Sequence, residues 1–200
     1  MINNIIFDLG NVLLNFKPLE YLYKKIPDKQ GADQIYKEIF KSQEWLMLDR
    51  GIITESEAIE RICNRNNGMS QIIRDLMDDW YQMLTPIEGV VEVLKGLKLK
   101  GYRTYFLSNF HLLAFEDVTR RYDFFKSFHG GIVSYKEKLM KPEREIFDKL
   151  ISTYEISTQE SIFIDDTKEN IEVAAKLGFE TILFTNACEL RENLVGYNVV

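Results

Sequence analysis

Four short segments of the chain are apolar almost throughout rather than at alternate positions. They are Asn4 to Phe7 (NIIF), Thr104 to Leu107, Ser161 to Ile164 and Thr181 to Phe184, with a weaker fifth at Gly131 to Val133. A strand with both faces covered reads this way, because neither face returns to water. Between the later runs the apolar residues switch to helical spacing. Val90, Val91, Leu94 and Leu97 share a face that Gly101 closes. Ile146, Phe147, Leu150, Ile151 and Tyr154 form a stripe after Pro142, which is expected at the first turn of that helix. Ile171, Ala174 and Ala175 lie between Thr167, a cap candidate, and Gly178. Alternation of strand and helix from Glu88 onward predicts an α/β fold, a three-layer Rossmann-like parallel sheet.

Residues 16–85 break that rhythm. Tyr36, Ile39 and Phe40 suit one helix, Ile59 and Ile62 a second, and Ile72, Ile73, Leu76 and Trp80 a third, with turns at Asp49-Arg50-Gly51 and Asn66-Asn67-Gly68. The expected organisation is a core of residues 1–15 and 86–200, with a helical bundle of residues 16–85 inserted after the first strand as a cap.

Composition narrows the function classes. The 200 residues carry 25 Lys and Arg against 31 Asp and Glu, a net charge of -6, which argues against binding nucleic acid or anionic membranes non-specifically. No apolar run reaches the ~20 residues that span a bilayer, and MINNIIFDLG is not a signal peptide. Cys63 and Cys188 lack metal-ligand spacing and read as reduced thiols. A soluble, cytoplasmic protein is the expectation, with no membrane or nucleic-acid partner; the oligomeric state is open, a monomer being plausible.

The chemistry-bearing residues fall where the strands end: Asp8-Leu9-Gly10-Asn11, Ser108-Asn109 and Asp165-Asp166, with Lys141 at a helix start. Ligands of open α/β sheets bind at those carboxyl ends. Three carboxylates gathered there need a cation, and all-oxygen ligation with few protein ligands suits Mg²⁺. Lys141 would add positive charge, and Ser108 and Asn109 short hydrogen-bond donors for phosphate oxygens. Asp8 would serve as a carboxylate nucleophile, dividing one difficult displacement into two through an aspartyl phosphate.

The segments IIFDLGNVL, YFLSN, KPEREIF and IFIDDTKEN, in this order, resemble the four motifs of the haloacid dehalogenase-like (HAD) hydrolase superfamily, over about two-thirds of the chain. The resemblance implies Asp8 as nucleophile and metal ligand, the Gly10 carbonyl as a second ligand, Asp166 as the main carboxylate of the fourth motif and Asp165 as its support. It implies phosphate contacts from Ser108 and Asn109, a lysine, Lys141, that holds nucleophile and phosphate, and a small phosphorylated substrate that Asn11 also adjoins. The DLGNV variant is similar to glucose-1-phosphate phosphatases and to the N-terminal phosphatase domain of epoxide hydrolases, so a sugar phosphate is one expectation.

Most phosphatases of that superfamily carry an aspartate two positions after the nucleophile as general acid and base. Here Gly10 stands there, and glycine moves no proton. Asn11, His111 or an acidic residue of the insert are the candidates to order a water as relay. Two other readings compete: a metal-free haloacid dehalogenase using Asp8, and a phosphate-ligand-binding protein that has lost turnover with the residue at position 10.

Overall fold

The structure, a computed structural model, describes residues 1–199. Five strands, β1 (Asn4–Phe7), β2 (Arg103–Ser108), β3 (Gly130–Val133), β4 (Ser161–Asp165) and β5 (Glu180–Leu183), form one parallel sheet in the order β3-β2-β1-β4-β5. All four residues of β1 are buried. Ile5 and Phe7 point into one hydrophobic cluster and Ile6 into the other, which is why this strand shows no polar alternation.

One face of the sheet is covered by α9 (Arg144–Tyr154) and α10 (Lys168–Lys176), through Ile146, Phe147, Leu150 and Ala174. The other receives α6 (Glu88–Leu99), α7 (Leu112–Arg121) and α11 (Ala187–Gly196). Five further helices lie between β1 and α6: α1 (Pro18–Lys25), α2 (Lys29–Phe40), α3 (Gln43–Asp49), α4 (Glu55–Arg65) and α5 (Ser70–Asp79). Their cores, including Leu22, Ile35, Ile39, Ile62, Ile73 and Leu76, belong to the same cluster as Val90 and Leu94, so apolar packing runs unbroken from the sheet into the insert. The chain leaves and returns side by side, with Asn15 N donating to Thr85 O at 2.8 Å.

The pattern-based reading misses α1 and α3, eight and seven residues long, too short for a stripe to repeat. The helix expected to open at Pro142 begins instead at Arg144, after Glu143 as its N-cap. Lys141 therefore sits in the loop after the short helix α8 (Ser134–Glu137), without a helix N-terminus of its own. Thr167 stands at the N-cap of α10 as expected, but its side chain makes no capping bond. No helix among the described residues is long and apolar enough to cross a membrane.

Sheet order fixes the site. The chain runs outward from β1 through β2 to β3, then crosses back to β4 on the other side of β1. The order thus reverses at β1, and the crevice that ligands use in such sheets opens over its carboxyl end. Phe7 pairs in register with Phe106 and Ile164, so Asp8, Ser108 and Asp165 emerge together.

Candidate active site

Asp8 follows the last residue of β1, and its backbone N–H continues the ladder to Ile164 O at 2.8 Å. One carboxylate oxygen, Oδ1, accepts from Leu9 N at 2.7 Å and Ser108 Oγ at 2.7 Å, and lies 2.8 Å from Lys141 Nζ. The other oxygen has no protein donor among the described residues. Such a carboxylate is held rigidly by one oxygen and presents the other. Lys141 Nζ also reaches Asp165 Oδ2 at 2.6 Å. Asp165 is fully buried, and its Oδ1 takes Thr167 N at 2.8 Å and Asn170 Nδ2 at 2.9 Å. Its hydrogen-bonding capacity is thus committed to the protein, while Asp166 beside it stays partly exposed.

Burial raises the Asp8 carboxyl to about 7, with Asp165 adding to the rise and Lys141 opposing it. Asp166 is also raised, by burial and then by Asp165, against the pull of the Asn11 amide and Lys141. Burial alone would lower the Lys141 ammonium, and the two carboxylates it bridges outweigh that and raise it. The cluster therefore sets three acids against one firmly charged lysine. Asp8, Asp165 and Asp166 each offer an oxygen within 4.8 Å of the others. A small divalent cation fits such a donor set: it supplies the charge that one ammonium cannot and accepts oxygen ligands alone.

Above this floor stands an aromatic roof. A cavity of about 70 Å³ is lined by Gly10, Asn109, Phe110 and His111 from below, and by Phe16, Trp45, Asp49, Trp80 and Leu84. Trp45 and Trp80 meet edge to face at 4.9 Å between centroids, and the His111 ring lies 4.3 Å from Trp45 and 5.4 Å from Trp80. The roof is latched to the core by the Asp49-Arg50-Gly51 turn. Arg50 pairs with Glu143 through both guanidinium nitrogens and donates to Lys138 O at 3.1 Å, Lys138 Nζ donates to Gly51 O, and Ser134 Oγ donates to Asp49 O. Gly51 has φ +68°, and a Cβ there would stand 2.8 Å from Tyr135 Cα, so only glycine allows this approach.

Residues 2–178 match the family described as haloacid dehalogenase-like hydrolase. The chain belongs to that family. It is 26% identical, over 96% of its length and 95% of the relative's, to the sesquiterpene phosphatase astK of Aspergillus oryzae. It is likewise 26% identical, over 97% of both chains, to the D-ribitol-5-phosphate phosphatase of Bacteroides thetaiotaomicron. Among solved structures it resembles a HAD family enzyme of Bacteroides thetaiotaomicron in complex with magnesium and inorganic phosphate. That TM-score is 0.74 at 27% identity, covering 93% of this chain and 96% of the other.

Within this hydrolase the residues expected at the site lie as follows. Asp8, Ser108, Lys141 and Asp165 form one bonded cluster, with Asp166 at its rim. Asn109 also braces Lys141: its Nδ2 donates to Lys141 O and its Oδ1 accepts from Lys141 N, both at 2.9 Å. The amide oxygen and one of the two amide hydrogens thus hold the Lys141 backbone, and Asn109 also lines the cavity. Asn11, at φ 54°, uses its Oδ1 to accept from Phe16 N at 3.1 Å and so fixes the exit into the insert. Asn170 was not foreseen. It lies five positions after Asp165, and only the fold of α10 turns its side chain back to that carboxylate. Trp80, expected on a helical stripe, and Trp45 are both core and cavity wall.

Proposed function

We propose that this chain is a Mg²⁺-dependent phosphatase that hydrolyses a small-molecule phosphomonoester through an aspartyl phosphate on Asp8. The observation that carries the reading is the Asp8 carboxylate, with Oδ1 fixed by three donors and the other oxygen unengaged at the mouth of an acidic cluster. Asp8, Asp166 and the Gly10 carbonyl would hold the ion, with Asp165 as support, and the ion when bound neutralises charge on the phosphoryl group. Lys141 favours the ionised Asp8 against its burial and faces the phosphate with its own charge, and Ser108 fixes the carboxylate for in-line attack. Asn109 acts through Lys141, whose backbone it clamps, and Asn11 lies near the substrate's path beside Asp166.

Residues 16–85 act as a cap over a core of residues 1–15 and 86–200. Their aromatic side chains, with Asp49 and His111, receive the alcohol part of the ester. Asp49, Asn109 and His111 in an otherwise aromatic cavity favour a sugar or polyol phosphate, the class named for the ribitol-5-phosphate relative. The Mg²⁺ requirement separates this reading from a metal-free dehalogenase, for which three clustered carboxylates would be a liability. The test is hydrolysis of a panel of sugar, polyol, prenyl and aryl phosphates with and without Mg²⁺, beside Asp8→Asn. Hydrolysis that ignores EDTA, or that survives in Asp8→Asn, overturns it.

A further inference from the structure

The step left open by Gly10 is proton transfer, and the structure places a candidate group in the same cavity. We infer that His111, paired with Asp49 of the insert, is the general acid and base of this phosphatase in place of a carboxylate at position 10; the inference rests on the function proposed above. His111 is 3% exposed, and neither ring nitrogen has a hydrogen-bond partner among the described residues. Buried imidazoles without partners are uncommon, because a buried polar group that gives up water without a replacement bond destabilises the fold. Nε2 lies 3.0 Å from Asp49 Oδ1, within ion-pair distance although off the line of a hydrogen bond. A carboxylate so placed holds the ring at the cavity wall.

Local structure explains the position. His111 is the N-cap residue of α7, in extended backbone at φ −74° and ψ 153°, and its carbonyl takes the first helical bond from Phe115 N at 2.9 Å. Its side chain makes no cap, which leaves the ring against Trp45 and Trp80. Asp49 arrives from the other side of the cleft, at the end of α3, because the latch of Arg50 and Gly51 docks that turn on the core. At Gly10 a Cβ would meet nothing within 4 Å, so an acidic side chain would find open space there, and Gly10 and His111 line the same cavity. His111 also borders a second groove of about 350 Å³, lined with Leu112 and Ile52.

The steps balance as follows. An Asp8 oxygen forms a bond to phosphorus while the ester P–O bond breaks, and the departing alcohol oxygen takes its proton from the His111 imidazolium. Neutral His111 then takes a proton from the water that attacks the phosphorus of the aspartyl phosphate. The Asp8–phosphorus bond breaks, inorganic phosphate leaves, and carboxylate and imidazolium are restored. Because Asp49 reaches His111 only through the docked insert, the acid is complete only when the cleft is closed.

Leaving-group dependence tests this, since kcat/KM reports the first phosphoryl transfer and a good leaving group needs no acid. His111→Gln is expected to lower kcat/KM for an alkyl phosphate about 10²-fold more than for 4-nitrophenyl phosphate. The same variant should accumulate trapped phospho-Asp8 from the aryl ester, because the second step has lost its base. Asp49→Asn should move the alkyl-to-aryl ratio in the same direction by a smaller factor. Adding Gly10→Asp to His111→Gln should restore the ratio, a rescue that a purely packing role for His111 does not predict. Equal losses on both esters, or no rescue, overturn the inference while the parent's Mg²⁺-dependent hydrolysis stands. A parent that hydrolyses neither ester overturns the phosphatase reading beneath it.

Discussion

The floor and the roof of the cleft are built on opposite terms. On the floor, Asp8 Oδ1, Lys141 and Asp165 are each bonded several times over, by side chains that four separate segments deliver to the end of a buried sheet. In the roof, aromatics packed edge to face supply area, and where it meets His111 the polar atoms of Trp80 and of that ring stay without hydrogen bonds. Chemistry that must not move is held by charge and backbone. Recognition that must admit a substrate is left to apolar walls with unmet polar groups, as in most small-molecule sites.

The sharpest way to break this contrast is at the floor. Asp8→Asn should lower kcat by more than about 10⁴-fold and abolish the trapped phosphoenzyme, which acid-quench mass spectrometry would read. Lys141→Met should cost about 3–5 kcal/mol in urea unfolding, because it leaves the buried Asp8 and Asp165 facing each other unpaired. Mg²⁺ should raise Tm in the parent and offset part of that loss, since the cation takes over the charge.

Roof substitutions should act on selection first. Trp45→Ala should raise KM across the substrate panel more than it lowers kcat, while truncating a buried wall at a cost of about 3 kcal/mol or more. Gly51→Ala imposes both a strained φ and a backbone clash, so it should unlatch the turn, cost about 1–3 kcal/mol and raise KM without touching the floor. The smallest effect is on pH. Hydrogen bonds from Arg50 hold the Glu143 carboxyl below its usual range. A depressed carboxyl stabilises the folded state above its ordinary range, and that contribution is lost as pH falls through the depressed value. The loss should stay below about 1 kcal/mol, because both side chains are about one-third exposed, and it should vanish in Arg50→Ala.

How far the sequence reached follows from the physics of each part. The strands were legible because a buried parallel strand must be apolar on both faces, and NIIF admits no other reading once Asp8 and Gly10 end it. α1 and α3 were not, since a helix of two turns repeats no pattern. Lys141 was placed correctly as a charge beside Asp8, yet its local structure was misread. Pro142 suggests a helix start, whereas Asn109, 32 positions away, holds that backbone in a loop.

The sequence by itself determined the α/β core, the presence of an insert after the first strand, and which polar residues end the strands, because these depend on local periodicity and on the polar residues that interrupt it. Only the tertiary structure decided what those polar groups do for one another. It commits the Asn109 amide to Lys141, turns Asn170 to Asp165, and brings Asp49 across to His111. Such pairings join residues 5 to 62 positions apart through helix geometry, a latch and a glycine that no local pattern encodes. The missing carboxylate at position 10 is plain in the sequence. His111 is a candidate there too, but that it shares a cavity with Gly10 and lies 3.0 Å from Asp49 became visible only in the tertiary structure.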